Sequence, residues 1–176
     1  MIDSYGRIID YMRISITDRC NLRCKYCMPD GIEWTPMEEI LTFEEIRRIC
    51  EGAASLGIHS IKITGGEPLV RKDCTNLVSM IKKIPGIEKV TITTNGILLS
   101  QYVDKLIAAG IDGINISLDS LKPDVFYNIT GLDALDKVMD GIEEAVSKGI
   151  HIKINSVLIE EKNSEEWREL IKLSNK

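Results

Sequence analysis

The sequence predicts an α/β fold, an incomplete parallel β/α barrel of about five strand–helix units, and three observations carry that reading. Glycine–isoleucine pairs recur at Gly57-Ile58, Gly86-Ile87, Gly110-Ile111 and Gly149-Ile150, each behind a helix-type stretch. A glycine just past a helix supplies the left-handed cap residue, and the isoleucine opens the next strand. Strand and helix then alternate strictly, which means a parallel sheet with right-handed crossovers. Nothing like a linker divides the 176 residues, so residues 1–176 are expected to form one domain with a real core.

The elements follow in order. Strand one, residues 12–17, alternates Met-Arg-Ile-Ser-Ile-Thr. A helix over 42–56 begins with Thr42 and Glu45, three apart, which reads as a capping box. Strand two (61–64) leads to a helix over 73–84 that can start on Asp73, and strand three (90–93) to one over 100–109 that can start on Ser100. Behind strand four (114–117), residues 134–148 place Leu135, Val138, Met139, Ile142 and Val146 on one helical face. Strand five (152–155) precedes a last amphipathic stretch from about 164 to 173.

The strands also carry a chemical message. Side chains on a strand point alternately to opposite faces, so each of these strands has one apolar and one polar face. A parallel strand buried on both sides reads as a near-continuous hydrophobic run instead. Helices must cover the apolar face, leaving a polar, wet interior. An antiparallel sheet with one solvated face gives the same alternation, but the intervening helices argue against it. The lining then includes Arg13, Lys62 and Lys153 among Ser15, Thr17, Thr64, Thr91, Thr93, Asn115, Ser117 and Asn155. Unpaired cations are costly to enclose and imply an anionic guest such as a phosphate-bearing molecule. Pairing with carboxylates such as Glu67 or Asp119 is the competing reading. No G-x-x-x-x-G-K-[ST] sequence occurs, so a nucleotide would not sit in a P-loop.

Working loops in such folds follow the C-terminal ends of the strands. After strand one comes Cys20-Asn-Leu-Arg-Cys24-Lys-Tyr-Cys27-Met-Pro, and after strand two Gly65-Gly66-Glu67-Pro68. Three thiolates at a C-x3-C-x2-C spacing can hold an iron–sulfur cube that normally takes four cysteines, leaving one iron open. An open metal position marks a catalytic rather than a structural site. Zinc would need a fourth ligand, and the remaining candidates are poor. Cys50 and Cys74 sit alone in apolar stretches as packing residues, while His59 and His151 stand where strands begin. Gly-Gly lets backbone approach a ligand, and Glu67 offers a carboxylate to an amine.

The bulk composition excludes several classes. With 44% hydrophobic and 28% charged residues, the chain reads as a soluble globular protein. A net charge of −5 argues against a nucleic-acid surface. No apolar run has membrane-spanning length, and the N-terminus lacks a signal pattern. Five cysteines, three of them clustered, do not make a secreted disulfide framework, so a cytoplasmic, reducing compartment is expected.

The cysteine loop and Gly-Gly-Glu-Pro together resemble the radical S-adenosylmethionine (SAM) enzymes. Within them, Tyr11-Met12-Arg13-Ile14-Ser15-Ile16-Thr17-Asp18-Arg19, Leu41-Thr42-Phe43-Glu44-Glu45-Ile46, Thr93-Thr94-Asn95-Gly96, Asn115-Ile116-Ser117-Leu118-Asp119-Ser120 and Ile129-Thr130-Gly131 look like the GTP 3′,8-cyclases of molybdenum cofactor (molybdopterin) biosynthesis. The resemblance implies a barrel of the radical SAM type and a 4Fe–4S cluster on Cys20, Cys24 and Cys27. It implies SAM contacts from Tyr26, Gly66 and Ser117, with Glu67 near the SAM amine, and GTP contacts from Arg13, Lys62, Thr93 and Lys153. The implied reaction converts GTP to 3′,8-cyclo-7,8-dihydro-GTP and needs an electron donor for the cluster. Neither nucleic acid nor membrane is implied, and the full-length form leaves room for a homodimer.

Two departures stand out. Lys62 occupies a position where the family often has arginine, which keeps the charge but loses the bidentate fork. The chain also stops after the fifth unit, with no cysteine beyond Cys74, whereas the family adds a sixth strand and a second three-cysteine cluster. The sequence therefore reads as a core truncated after its fifth unit, with an open edge after 151–157 that the ending Leu-Ser-Asn-Lys does not cover. Rival readings are a peptide-modifying radical SAM enzyme and a metal-binding interaction module without catalysis.

Overall fold

The computed structural model describes residues 2–27 and 34–173, so Met28 and Pro29 of the cysteine loop and the last three residues of the ending lie outside the described residues. Strands β1 (Tyr11–Ser15), β2 (Ser60–Thr64), β3 (Lys89–Thr94), β4 (Gly113–Ser117) and β5 (Ile152–Asn155) form one parallel sheet in the order β1-β2-β3-β4-β5. Sequential order means every crossover steps the same way, and crossovers of one hand put their helices on one face. This explains the alternation: Ile61, Ile63, Val90, Ile92, Ile114 and Ile116 are sealed beneath helices, while the opposite face carries the polar partners.

The covering helices are α1 (Phe43–Ser55), α2 (Cys74–Lys82), α3 (Leu99–Ala108), α4 (Pro123–Thr130), α5 (Leu135–Ser147) and α6 (Trp167–Lys172). The capping box at α1 forms as expected: Thr42 Oγ1 accepts from Glu45 N–H at 3.2 Å, and Glu45 Oε2 accepts from Thr42 N–H at 2.8 Å. Gly57, Gly86, Gly110 and Gly149 all take left-handed backbone, as cap residues must. In α5, Gly141 brings the helix onto α3, where an added Cβ would meet Leu99 Cβ at 2.9 Å. Cys50 and Cys74 are fully buried packing residues.

Several local expectations need correction. Asp73 stands at the N-cap of α2 in left-handed backbone and gives no side-chain cap. Helix α3 starts before Ser100, capped at Leu98, so Ser100 lies inside it. Val146, placed on the apolar face of α5, is 44% exposed. Helix α4, with Pro123 in its first turn, was not anticipated, and a 3-10 turn at Ser164–Glu166 precedes α6. The edge of β5 is open among the described residues, and an apolar groove of about 820 Å³ runs beside it between α5 and α6. No helix among the described residues is long and apolar enough to cross a membrane.

Candidate functional site

The site is built at the C-terminal ends of β1 to β4. Residues 16–19 leave β1 as a stem bonded to the turn after β2: Ile16 N–H donates to Thr64 O at 2.9 Å, Gly66 N–H to Thr17 O at 2.7 Å, and Glu67 N–H to Arg19 O at 2.7 Å. A Cβ on Gly66 would lie 2.4 Å from Arg19 O and 2.5 Å from Asp18 O, and one on Gly65 would lie 2.5 Å from Thr17 O. The glycines are thus required first by backbone meeting backbone. Thr17, expected on the polar lining, is buried in this junction. The loop is also held from outside. Arg23 Nη1 donates to Cys20 O and Leu22 O, and Trp34 packs its ring against the Arg19 and Arg23 guanidinium groups at 4.9 and 5.5 Å.

A cavity of about 190 Å³ opens beside that loop, lined by Cys20, Cys24, Tyr26 and Cys27 with Gly65, Gly66, Thr93, Thr94, Asn95, Ser117 and Asp119. Three thiols therefore face one space. Two N–H groups approach Cys20 Sγ, from Leu22 at 3.4 Å and Asn95 Nδ2 at 3.8 Å, as suits a thiolate held on a metal. Burial pushes the Cys20 thiol up, and burial together with the Asp119 carboxylate pushes Cys24 up to about 11. Without a metal these thiols stay protonated at neutral pH. Among the described residues no three histidine, cysteine or acidic groups close on one point as a single ion demands. Three thiols lining one cavity are a donor set that suits an iron–sulfur cluster.

Glu67 sits behind the wall of the cavity. Its carboxylate is 1% exposed and accepts from Leu69 N–H (3.0 Å), Thr94 Oγ1 (2.7 Å) and Asn95 N–H (2.6 Å). Burial raises its pKa despite these three donors. The side chain braces the loop after β3 and does not line the cavity. That loop carries Asn95, whose Nδ2 donates to Asn21 Oδ1 at 2.7 Å inside the cysteine loop. Asn95 and Asp119 line the cavity, although the sequence offers Asn95 only within a longer motif and Asp119 only as a possible partner for the lining cations. Their position, one and two residues past β3 and β4, is the signal that marks them.

The expected substrate residues share the open face. Registers place Arg13 beside Lys62 and Lys62 beside Thr91, and, one row nearer the cavity, Thr93 beside Asn115 and Asn115 beside Lys153. Among the described residues Arg13, Lys62 and Lys153 form no ion pair, so the competing reading that Glu67 or Asp119 neutralises them does not hold. Tyr11 lies between two of them, its hydroxyl 3.5 Å from Arg13 Nε and its ring 5.9 Å from Lys62 Nζ. Ser117 and Thr93 line the cavity as well, so the strand face that carries the cations runs up to it, while the cations themselves stand outside the cavity lining and Lys153 borders the groove between α5 and α6.

A partial β/α barrel with three cysteines on the loop after its first strand defines the class, and the chain belongs to the Radical SAM superfamily, whose pattern it matches over residues 14–174. Enzymes of that family use a 4Fe–4S cluster and SAM. Among individual proteins, it is 49% identical to GTP 3′,8-cyclase of Peptoclostridium acidaminophilum over 176 residues, covering 99% of this chain and 54% of that protein. It is 47% identical to GTP 3′,8-cyclase of Petrotoga mobilis, with the same coverage. The chain thus spans about half the length of the curated relatives it matches. In fold it resembles SuiB of Streptococcus suis, solved with S-adenosylmethionine, at a TM-score of 0.77 and 23% identity over 94% of this chain and 37% of that one.

Proposed function

We propose that the chain is the radical-generating part of a GTP 3′,8-cyclase. The observation that carries this is a three-thiol cavity at the end of a strand face whose cations form no ion pair among the described residues, in a chain nearly half identical to such enzymes. Cys20, Cys24 and Cys27 would hold the 4Fe–4S cluster, and Tyr26, Gly66 and Ser117 would contact SAM. Arg13, Lys62, Thr93 and Lys153 would bind GTP. When bound there, the cluster and SAM would supply radical chemistry for a reaction at the GTP ribose.

The protein's part is placement. Arg13 and Lys62 meet a polyphosphate as charge, Lys62 as a point charge without arginine's fork. Thr93 and Lys153, a row closer to the thiols, would set the nucleoside over the cavity. Glu67 acts from behind by fixing Asn95. Residues 1–176 would serve as the core of a longer enzyme, with the second cluster, any homodimer contact and docking of the electron donor completed there.

Calorimetric titration of GTP into the anaerobically reconstituted protein tests the assignment. GTP should bind, and Lys153→Ala or Arg13→Ala should weaken it by about tenfold, as loss of a phosphate-pairing cation does. Absence of GTP binding, or variants that bind GTP as the parent does, would rule the substrate out.

A further inference from the structure

Asp119 is 4% exposed and lines the thiol cavity, yet no cation among the described residues pairs with it. A buried carboxylate of this kind is costly and is kept only where its acceptors are used. Here both are. Oδ2 accepts from the Tyr26 hydroxyl at 2.7 Å and Oδ1 from Val157 N–H at 2.8 Å. Tyr26 stands between Cys24 and Cys27, in a turn closed by Cys27 N–H donating to Cys24 O at 2.9 Å. Backbone bonds from Arg23 and Lys25 to Thr130 and Ile129 secure the first half of that turn, and Tyr26 secures the second.

Asp119 is itself anchored from behind. Its carbonyl accepts from Asn163 Nδ2 at 2.5 Å, and Asn163, 1% exposed, also donates to Val157 O and accepts from Ile159 N–H. Buried Glu166 takes Ser120 Oγ on both oxygens at 2.9 Å and Leu121 N–H at 3.0 Å. The segment after β5 therefore clamps the loop after β4, and that loop holds the cysteine turn. We propose that Asp119 is the positioning residue of the cysteine loop: it fixes Tyr26, and through Tyr26 the placement of Cys24 and Cys27, against the segment leaving β5. The geometry stands on its own, while its consequence for cluster assembly rests on the proposed function.

The test uses the full chain without metal. N-ethylmaleimide labelling is followed by mass spectrometry at each cysteine in the parent, Tyr26→Phe, Asp119→Ala and Asp119→Asn. Cys24 should label roughly tenfold faster in Tyr26→Phe and Asp119→Ala, the loss expected for one hydrogen bond to a carboxylate. Cys50 and Cys74, in the core, should stay protected and report an intact fold. Both Asp119 variants lose the carboxylate that pushes Cys24 up, so they are compared with each other: Asp119→Asn should label more slowly than Asp119→Ala, because an amide still accepts from Val157 and can donate to the Tyr26 oxygen. Should Asp119→Ala unfold, Tyr26→Phe decides alone, since it deletes a single hydroxyl. Unchanged Cys24 labelling in Tyr26→Phe, or Asn as damaging as Ala, overturns the proposal. Iron and sulfide content of the reconstituted parent tests the cluster reading separately.

Discussion

At Gly66 a single hydrogen in place of a methyl group lets two backbone segments touch. A Cβ there would stand 2.4 Å from Arg19 O, where no flexible side chain can yield, so Gly66→Ala must displace the stem of the cysteine loop. The expected cost is roughly 1–3 kcal/mol in urea unfolding; an unchanged midpoint would show that the stem moves freely. Glu67 offers a titration instead. Burial raises its folded pKa above the ordinary value of 4.5, so its stabilising contribution is complete below that value and is lost as pH climbs through the raised one. Relative to Glu67→Gln, which does not titrate, the parent should lose thermal stability as pH rises above the ordinary carboxylate value of 4.5. A gain over that range would mean that the three donors outweigh burial. The sequence marks Gly66 and Glu67 and assigns both toward a ligand; motif spacing does not show the close contacts they also make within the protein, Gly66 with the stem of the cysteine loop and Glu67 with the loop after β3.

Elements were legible where one local rule governed them. The capping box of Thr42 and Glu45 needs only residues three apart, and it forms with both reciprocal bonds. Thr42→Ala should cost about 1 kcal/mol in chemical denaturation while leaving iron content untouched, since α1 lies outside the cavity lining. A loss of iron there would link the cap to the site. The five strands were equally readable because alternation is a property of each strand alone. Helix α2 does start on Asp73, which arrives in left-handed backbone and makes no side-chain cap, whereas Ser100 misled because the helix already begins at Leu99. Helix α4 was missed because its eight residues form too short a period to read, and its placement comes from bonds to the cysteine loop, Arg23 and Lys25 donating to its last turn.

For the whole molecule, sequential strand order explains why one face is free. Helices stacked on one side bury the isoleucine and valine set, and the other side keeps three cations that form no ion pair among the described residues. The polar lining was legible from alternation, but its continuity with the thiol cavity was not, because that depends on the rows Thr93–Asn115–Lys153 ending beside Ser117. The central claim is that three thiols hold a cluster with one open iron facing that space. Anaerobic reconstitution with iron and sulfide, followed by EPR of the reduced protein with and without SAM, tests it most directly. A reduced 4Fe–4S signal is expected that changes on adding SAM and is absent in Cys24→Ala. A signal indifferent to SAM, or an intact cluster in Cys24→Ala, would contradict it.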